Sequence, residues 1–349
     1  MLENHKTITP SQAILCGVTA LKAGMPFMML GQAGIGKTQI ARQIAEKLDV
    51  DKFLEFNGQT RQPWDIMGTP DHVTDENGNK VTDWLPHKEF AELVDAKQPC
   101  IFIDELFMAE GAMQNSMNTL ILEKTAGTLK LPENTYIIVA SNRSEDGCLI
   151  NEPSQATMDR VMAVEVVPSA EDLEDHAVRM NWHPEVIAGI RRFPNWVTSG
   201  FNGDLYKSCT PRGLDALSKL CKVGIPSQAE IPLVQSIVGH GVATEFVGFR
   251  RVFNDIPDRE EIYKNPTTAP VPSEDRPDVQ YALATLLGQK ADEDNVEATF
   301  TYASRLPKEF ETMILVDTLK ANPDLAKVKK IREWLLNPTN LEIATTLSV

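Results

Sequence analysis

The run Gly31-Gln32-Ala33-Gly34-Ile35-Gly36-Lys37-Thr38 limits this chain more than any other stretch. It fits G-x-x-x-x-G-K-[ST], a loop that cradles phosphates. By average residue frequencies, an accidental match arises in about one chain in a hundred of this length. The flanks narrow the odds further. Phe27 to Leu30 is an apolar run suited to a buried strand, and Ile40, Ala41, Ile44, Ala45 and Leu48 recur at helical spacing. Glycines let the backbone amides converge on a β-phosphate, and the N-terminus of the following helix favours an anion. Lys37 is expected to reach the β- and γ-phosphates, and the Thr38 hydroxyl to ligate Mg²⁺. Gln39 completes the set of nucleotide-binding residues. The expected cofactors are therefore ATP and Mg²⁺.

A chain of 349 residues is too long for one small core and predicts two or three domains. Its net charge of −15 argues against a protein whose main business is coating nucleic acid. The cysteines at 16, 100, 148, 209 and 221 form no C-x-x-C pair and are odd in number, as in a reduced cytoplasmic protein. The six histidines show no metal-ligand spacing. The opening Met-Leu-Glu-Asn-His-Lys is not a signal peptide, and no apolar run reaches the roughly 18 residues that a membrane span needs. The expectation is a soluble cytoplasmic protein without a membrane segment.

Along the chain, Thr9-Pro10 offers a helix cap followed by proline in the first turn, opening a helix that runs to about Gly24. Phe53 to Phe56 reads as a second strand. Residues 58–86 are rich in turn formers, and Asn77-Gly78 between two β-capable arms signals a hairpin. A helix over Lys88 to Asp95 leads to Cys100-Ile101-Phe102-Ile103-Asp104-Glu105, a buried strand ending in two carboxylates. Carboxylates at that end lie where ligands bind in open α/β sheets. Asp104 is expected to hold the Mg²⁺ shell and Glu105 to orient and deprotonate the attacking water. After a helix from Glu110 to Glu123, Tyr136 to Asn142 is a third buried strand with a polar tip. Asn142 there can bond the γ-phosphate or the water, or simply cap a turn. A strand over Val161 to Val167 follows Met158-Asp159-Arg160. Alternating strands and helices imply a parallel sheet covered on both faces.

From Ser169 the pattern is helical. Thr210-Pro211 starts a helix with apolar Leu214, Leu217 and Leu220, which puts Arg212 in the first turn against the helix dipole. A shared anion explains that placement; a plain exposed arginine is the alternative. The prolines at 257, 266, 270, 272 and 277 read as an extended linker over 254–278. Residues 254–295 carry ten acidic and four basic side chains, so the region is solvated. Helices then run from about Val279 to the end. The expected domains are thus an α/β nucleotide-binding domain over 1–168, a helical lid over 169–253, the linker, and a helical region over 279–349.

Together these motifs resemble AAA+ ATPases, with the closest likeness to MoxR-like members of the helix-2-insert clade. Ala20 to Gly31 resembles that family's approach to its phosphate loop. Asp65 to Thr69 with the Asn77-Gly78 hairpin resembles its insert. Gln114 to Glu123 and Glu133 to Asn142 resemble the stretch up to its sensor 1. Met158-Asp159-Arg160-Val161 resembles its arginine-finger turn and Thr210-Pro211-Arg212 its sensor 2. The likeness covers about residues 8 to 225. Phe107-Met108-Ala109 departs from the Asn-Arg-Ala common there. The resemblance implies a ring, usually a hexamer, that remodels other proteins, often beside a partner with a von Willebrand factor A domain. A helicase-like motor on nucleic acid and a nucleotide-gated scaffold are the competing readings. The acidic balance counts against the first, and Glu105, Asn142 and Arg160 together count against the second.

Overall fold

The computed structural model describes residues 7–74, 76–143, 155–198 and 209–336. It divides into two compact units, Met1–Pro168 and Ser169–Val349. Asp75 at the expected hairpin tip and Cys148 lie outside the described residues.

The first unit contains strands β1 (Thr7–Ile8), β2 (Phe27–Leu30), β3 (Lys52–Asn57), β4 (Thr69–Thr74), β5 (Lys80–Leu85), β6 (Pro99–Asp104), β7 (Thr125–Ala126), β8 (Leu129–Lys130), β9 (Tyr136–Ser141) and β10 (Met162–Val166). Its helices are α1 (Pro10–Lys22), α2 (Lys37–Lys47), α3 (Pro63–Met67), α4 (Lys88–Val94), α5 (Gly111–Glu123) and α6 (Gln155–Met158). Six strands form one sheet in the order β1-β10-β2-β9-β6-β3. Every pairing in it is parallel.

The apolar runs explain this sheet. Successive side chains on a strand point to opposite faces, so a strand covered on both sides must be apolar throughout. Met28, Leu30, Ile101, Ile103, Ile137 and Val139 join Phe90, Met113, Met117 and Leu120 in one core. Their alternate neighbours Phe27, Met29, Cys100, Phe102, Ile138 and Ala140 pack with Ala13, Ala20, Ile40 and Ile44 in another. Helix α1 is closed by the expected cap. Thr9 Oγ1 accepts the Gln12 amide and the Gln12 side chain accepts the Thr9 amide.

The hairpin forms as read. β4 and β5 pair antiparallel, with Thr69 opposite Leu85 and Thr74 opposite Lys80. Both arms are largely exposed, and Gly78 in the tip takes a φ of +83°. Helix α3, the edge strand β1 and the short β7–β8 hairpin went unread because each is two to five residues long. Stretches that short carry too few positions to show a period.

The second unit contains α7 (Ala170–Arg179), α8 (Pro184–Arg192), α9 (Asn195–Thr198), α10 (Pro211–Val223), α11 (Glu230–Val238), α12 (His240–Arg250), α13 (Arg259–Lys264), α14 (Pro277–Gln289), α15 (Val296–Ala303), α16 (Lys308–Ala321) and α17 (Lys329–Leu335). The expected linker over 254–278 is not extended. Residues 254–278 include α13, and Ile262 and Ala269 are buried with Leu283, Leu287, Tyr302 and Phe310. The Tyr302 hydroxyl donates to the Pro270 carbonyl at 2.5 Å, and Arg305 donates to that of Pro266 at 2.9 Å. Proline removes a backbone donor but keeps its carbonyl, so a proline-rich stretch can still be fastened. Arg191 of α8 binds Asp317 of α16 through two bonds of 2.6 and 2.7 Å, and also Glu174 and Thr285. Both members of that pair are buried, with side chains 3% and 1% exposed.

The same unit brings His183, Glu185 and Cys221 together, with ligating atoms within 4.8 Å of one another. The Arg250 guanidinium already binds Glu185 at 2.7 Å and Glu230 at 2.5 Å. A cation beside the carboxylate makes this a charge network rather than a metal site. No helix among the described residues is long and apolar enough to cross a membrane.

Candidate active site

Every group read as reactive in the first unit, except Arg160, collects at the C-terminal ends of the sheet strands. The phosphate loop follows β2, which lies between β10 and β9. Chain connections leave the sheet in opposite directions at that point, which opens a crevice for ligands. Gly31 has no room for a side chain, since a Cβ there would stand 2.6 Å from the Val166 carbonyl oxygen. Gly36 adopts φ +94°, which glycine alone takes at little cost, and caps α2 without a side chain. The first-turn amides from Lys37 onward have no intrahelical acceptor, so they are available to an anion. Gln32 and Ile35 are buried in the loop wall, while Ala33 and Gln39 are exposed.

Lys37 is only 8% exposed and its ammonium is held in place. It donates to the Gly31 carbonyl at 2.6 Å, the Gln32 carbonyl at 3.1 Å and Asn142 Oδ1 at 2.8 Å. Asn142 therefore does more than cap a turn: it meets the loop lysine across the crevice. Its Nδ2 donates to Met108 Sδ at 3.4 Å. Met108 thus supplies an acceptor in a turn where the resembled family commonly has arginine. Arg143, next in sequence, is neutralised by Glu165 at 2.5 Å.

The Thr38 hydroxyl lies 3.5 Å from Asp104 Oδ2. A hydroxyl and a carboxylate facing one another beside a phosphate site form an all-oxygen donor set, which fits Mg²⁺. Burial pushes the Asp104 carboxyl above its usual range. The Lys37 ammonium pulls it back, and the Glu105 charge raises it again. Glu105 sits at φ 59°, ψ 38°, a left-handed conformation uncommon outside glycine. Its carboxylate accepts from Asn57 Nδ2 at 3.1 Å.

Sequence reading missed Asn57. Its side-chain carbonyl accepts the amides of Gln59 and Thr60 at 3.0 and 3.1 Å, which aims the amide nitrogen at Glu105. The signal was a polar residue at the tip of an apolar-rich strand, in register with Asp104. Arg160 lies elsewhere. It is exposed in the turn before β10, and Met162 pairs with Phe27 at the start of β2. Arg160 is therefore at the opposite end of the sheet from the phosphate loop. Arg212 is exposed in the first turn of α10, where Thr210 caps Gly213 at 3.1 Å.

A phosphate loop, a hydroxyl–carboxylate pair, a second carboxylate and a polar strand tip around one crevice define a P-loop ATPase. Residues 26–161 match the AAA domain of the dynein-related subfamily. That matched segment holds the whole crevice. Among solved structures, the chain is similar to the RuvB branch-migration motor of Thermotoga maritima. The identity is 16% over 87% of each chain, with a TM-score of 0.40. It is also similar to NtrX of Brucella abortus, at 12% identity over 98% of this chain and 68% of that one, with a TM-score of 0.39. Both overlays are loose, and the domain match and the crevice geometry carry the assignment.

Proposed function

We propose that this protein is a Mg²⁺-dependent ATPase that works in a ring, MoxR-like, and remodels or activates a partner protein. The position of Arg160 carries this reading. β2 spans four residues, so about 13 Å of strand separates the Arg160 end of the sheet from the phosphate loop. A guanidinium so placed serves an active site on another copy, as in a closed ring of identical subunits, typically a hexamer. The nucleotide is the substrate that supplies the phosphoryl group under attack, whose charge a bound Mg²⁺ would neutralise. Lys37 and the first-turn amides bind the phosphates. Thr38 and Asp104 would hold the metal, Glu105 takes the proton of the attacking water, and Asn142 orients the γ-phosphate. Arg212 is a further candidate for a phosphate contact, on its own copy or on a neighbouring one.

The output runs through the β4–β5 hairpin. Asn57 joins Glu105 to the turn that continues through Arg61 and Gln62 into α3 and the hairpin. A client pressing on exposed arms of this length has a short path to the catalytic carboxylate. A protein with a von Willebrand factor A domain is the partner that the MoxR resemblance suggests.

Two experiments test these assignments. Arginine fingers are worth about 10³ to 10⁵ in rate. Mixing inactive Arg160→Ala with inactive Glu105→Gln should restore activity where an intact finger meets an intact site. Full activity of Arg160→Ala alone ends the trans assignment. Replacing 75–80 with a short Gly-Ser turn should keep basal ATPase and assembly but abolish stimulation by a verified partner. Unchanged stimulation reduces the hairpin to a cap on the domain.

A further inference from the structure

Glu105 occupies a left-handed conformation that residues with side chains adopt only where their surroundings impose it. Three bonds impose it here. The Glu105 amide donates to Asp104 Oδ1 at 3.0 Å, and the Met108 amide donates to the Glu105 carbonyl at 3.1 Å. The third comes from another strand: the Phe107 amide donates to Ser141 Oγ at 3.1 Å. Ser141 is fully buried at the end of β9, directly before Asn142. Its backbone carbonyl accepts the Gly31 amide at 3.2 Å. One residue thus fastens the start of the phosphate loop with its carbonyl and the Glu105 turn with its hydroxyl.

The hydroxyl has no packing reason to be there. Ile137 to Ala140 are apolar, and an alanine would satisfy the strand equally well. Phe107 is 4% exposed, so without Ser141 Oγ its amide would stand unpaired in the interior. The turn would then be free to relax out of the left-handed region.

We propose that Ser141 is a positioning residue for hydrolysis, holding Glu105 through the Phe107 amide at a fixed offset from Asn142 and the phosphate loop. The inference rests on Glu105 acting on the attacking water. Ser141 touches no substrate; it acts by limiting where the carboxylate can stand.

The test is steady-state ATPase kinetics with nucleotide affinity and thermal melting measured alongside. Ser141→Ala should lower kcat by about 10- to 100-fold, because a displacement near 1 Å costs that much at a reacting centre. ATP affinity should stay within about twofold, since the phosphate contacts are untouched. Ser141→Thr keeps the acceptor and should recover rate. Ser141→Cys, a weak acceptor of similar size, should fall between them and covers the case in which alanine impairs folding. In a Glu105→Gln background, adding Ser141→Ala should change the residual rate by less than about twofold, because both act through one group. Wild-type turnover in Ser141→Ala while Glu105→Gln is inactive overturns the positioning role alone. So does an undiminished effect in the Glu105→Gln background, or an equal loss of rate and ATP affinity. Wild-type turnover in Glu105→Gln overturns the role of Glu105 itself and this inference with it.

Discussion

The two units use buried charge in opposite ways. In Met1–Pro168, Lys37 at the start of α2 and Asn142 just past β9 are buried, and the ammonium is held by two carbonyls and an amide. That ammonium also pulls the Asp104 carboxyl down against the effect of burial, so its charge is spent inside the crevice itself. In Ser169–Val349, Arg191 is buried against Asp317 and Glu174 and its charge is consumed internally. A buried charge costs far too much to persist without partners. Where it stands at a phosphate loop among carbonyls and an amide, it is placed to meet a ligand. Where it meets carboxylates across helices remote in sequence, it fixes architecture.

The sharpest break of this comparison is at Lys37. Lys37→Ala should weaken ATP binding by about 100-fold or more while the domain stays folded, because the lost contacts are charge-assisted bonds to phosphate. Glu105→Gln should bind ATP normally and fail to release phosphate. Calorimetric titration with a phosphate-release assay separates the two. Normal ATP affinity in Lys37→Ala would mean that its buried charge is structural after all.

The matching change in the second unit is Arg191→Met. It strands Asp317 without a partner, and removing one member of a buried pair costs about 3 to 5 kcal/mol. Adding Asp317→Leu should recover most of that loss. Denaturant melts of the three variants measure it. A cost below about 1 kcal/mol for Arg191→Met would show that the pair does not hold the helices together.

The smallest effect concerns pH. Burial, helped by Arg250, Lys290 and Lys222, pushes the His183 imidazole down to about 4. The unfolded chain binds a proton near pH 6.5, whereas the folded unit resists it to about pH 4. Stability from this residue is therefore complete above pH 6.5 and is lost as pH falls towards 4. The loss is at most about 3 kcal/mol. His183→Asn should melt with a shallower pH slope over that window, and Glu185, whose carboxyl burial raises, cancels in the comparison. Equal slopes would place the pH response elsewhere.

Much of the first unit was legible because its rules are local. Continuous apolar runs between helical periods describe a parallel sheet, and Asp104, Glu105 and Asn142 announce themselves as polar ends of apolar strands. Asn57 and Ser141 were not legible. Nothing near Asn57 in sequence says that it faces Glu105, and Ser141 looks like any small strand residue until its hydroxyl is seen on the Phe107 amide. The linker over 254–278 was misread for a related reason. Proline spacing reports where helices stop, but not whether the segment between them packs.

The phosphate loop, the five longer sheet strands, the polar ends at Asp104, Glu105 and Asn142, and the hairpin follow from the sequence, because glycine, proline and apolar runs act within a few residues. Tertiary structure alone decided that Lys37 meets Asn142, 105 residues away, and that Arg191 meets Asp317, 126 residues away. It also decided that Arg160 stands at the far end of the sheet from the crevice. Such pairings depend on strand order and helix crossing. Both are set by which apolar faces bury best against one another, a property of the whole chain rather than of any short stretch.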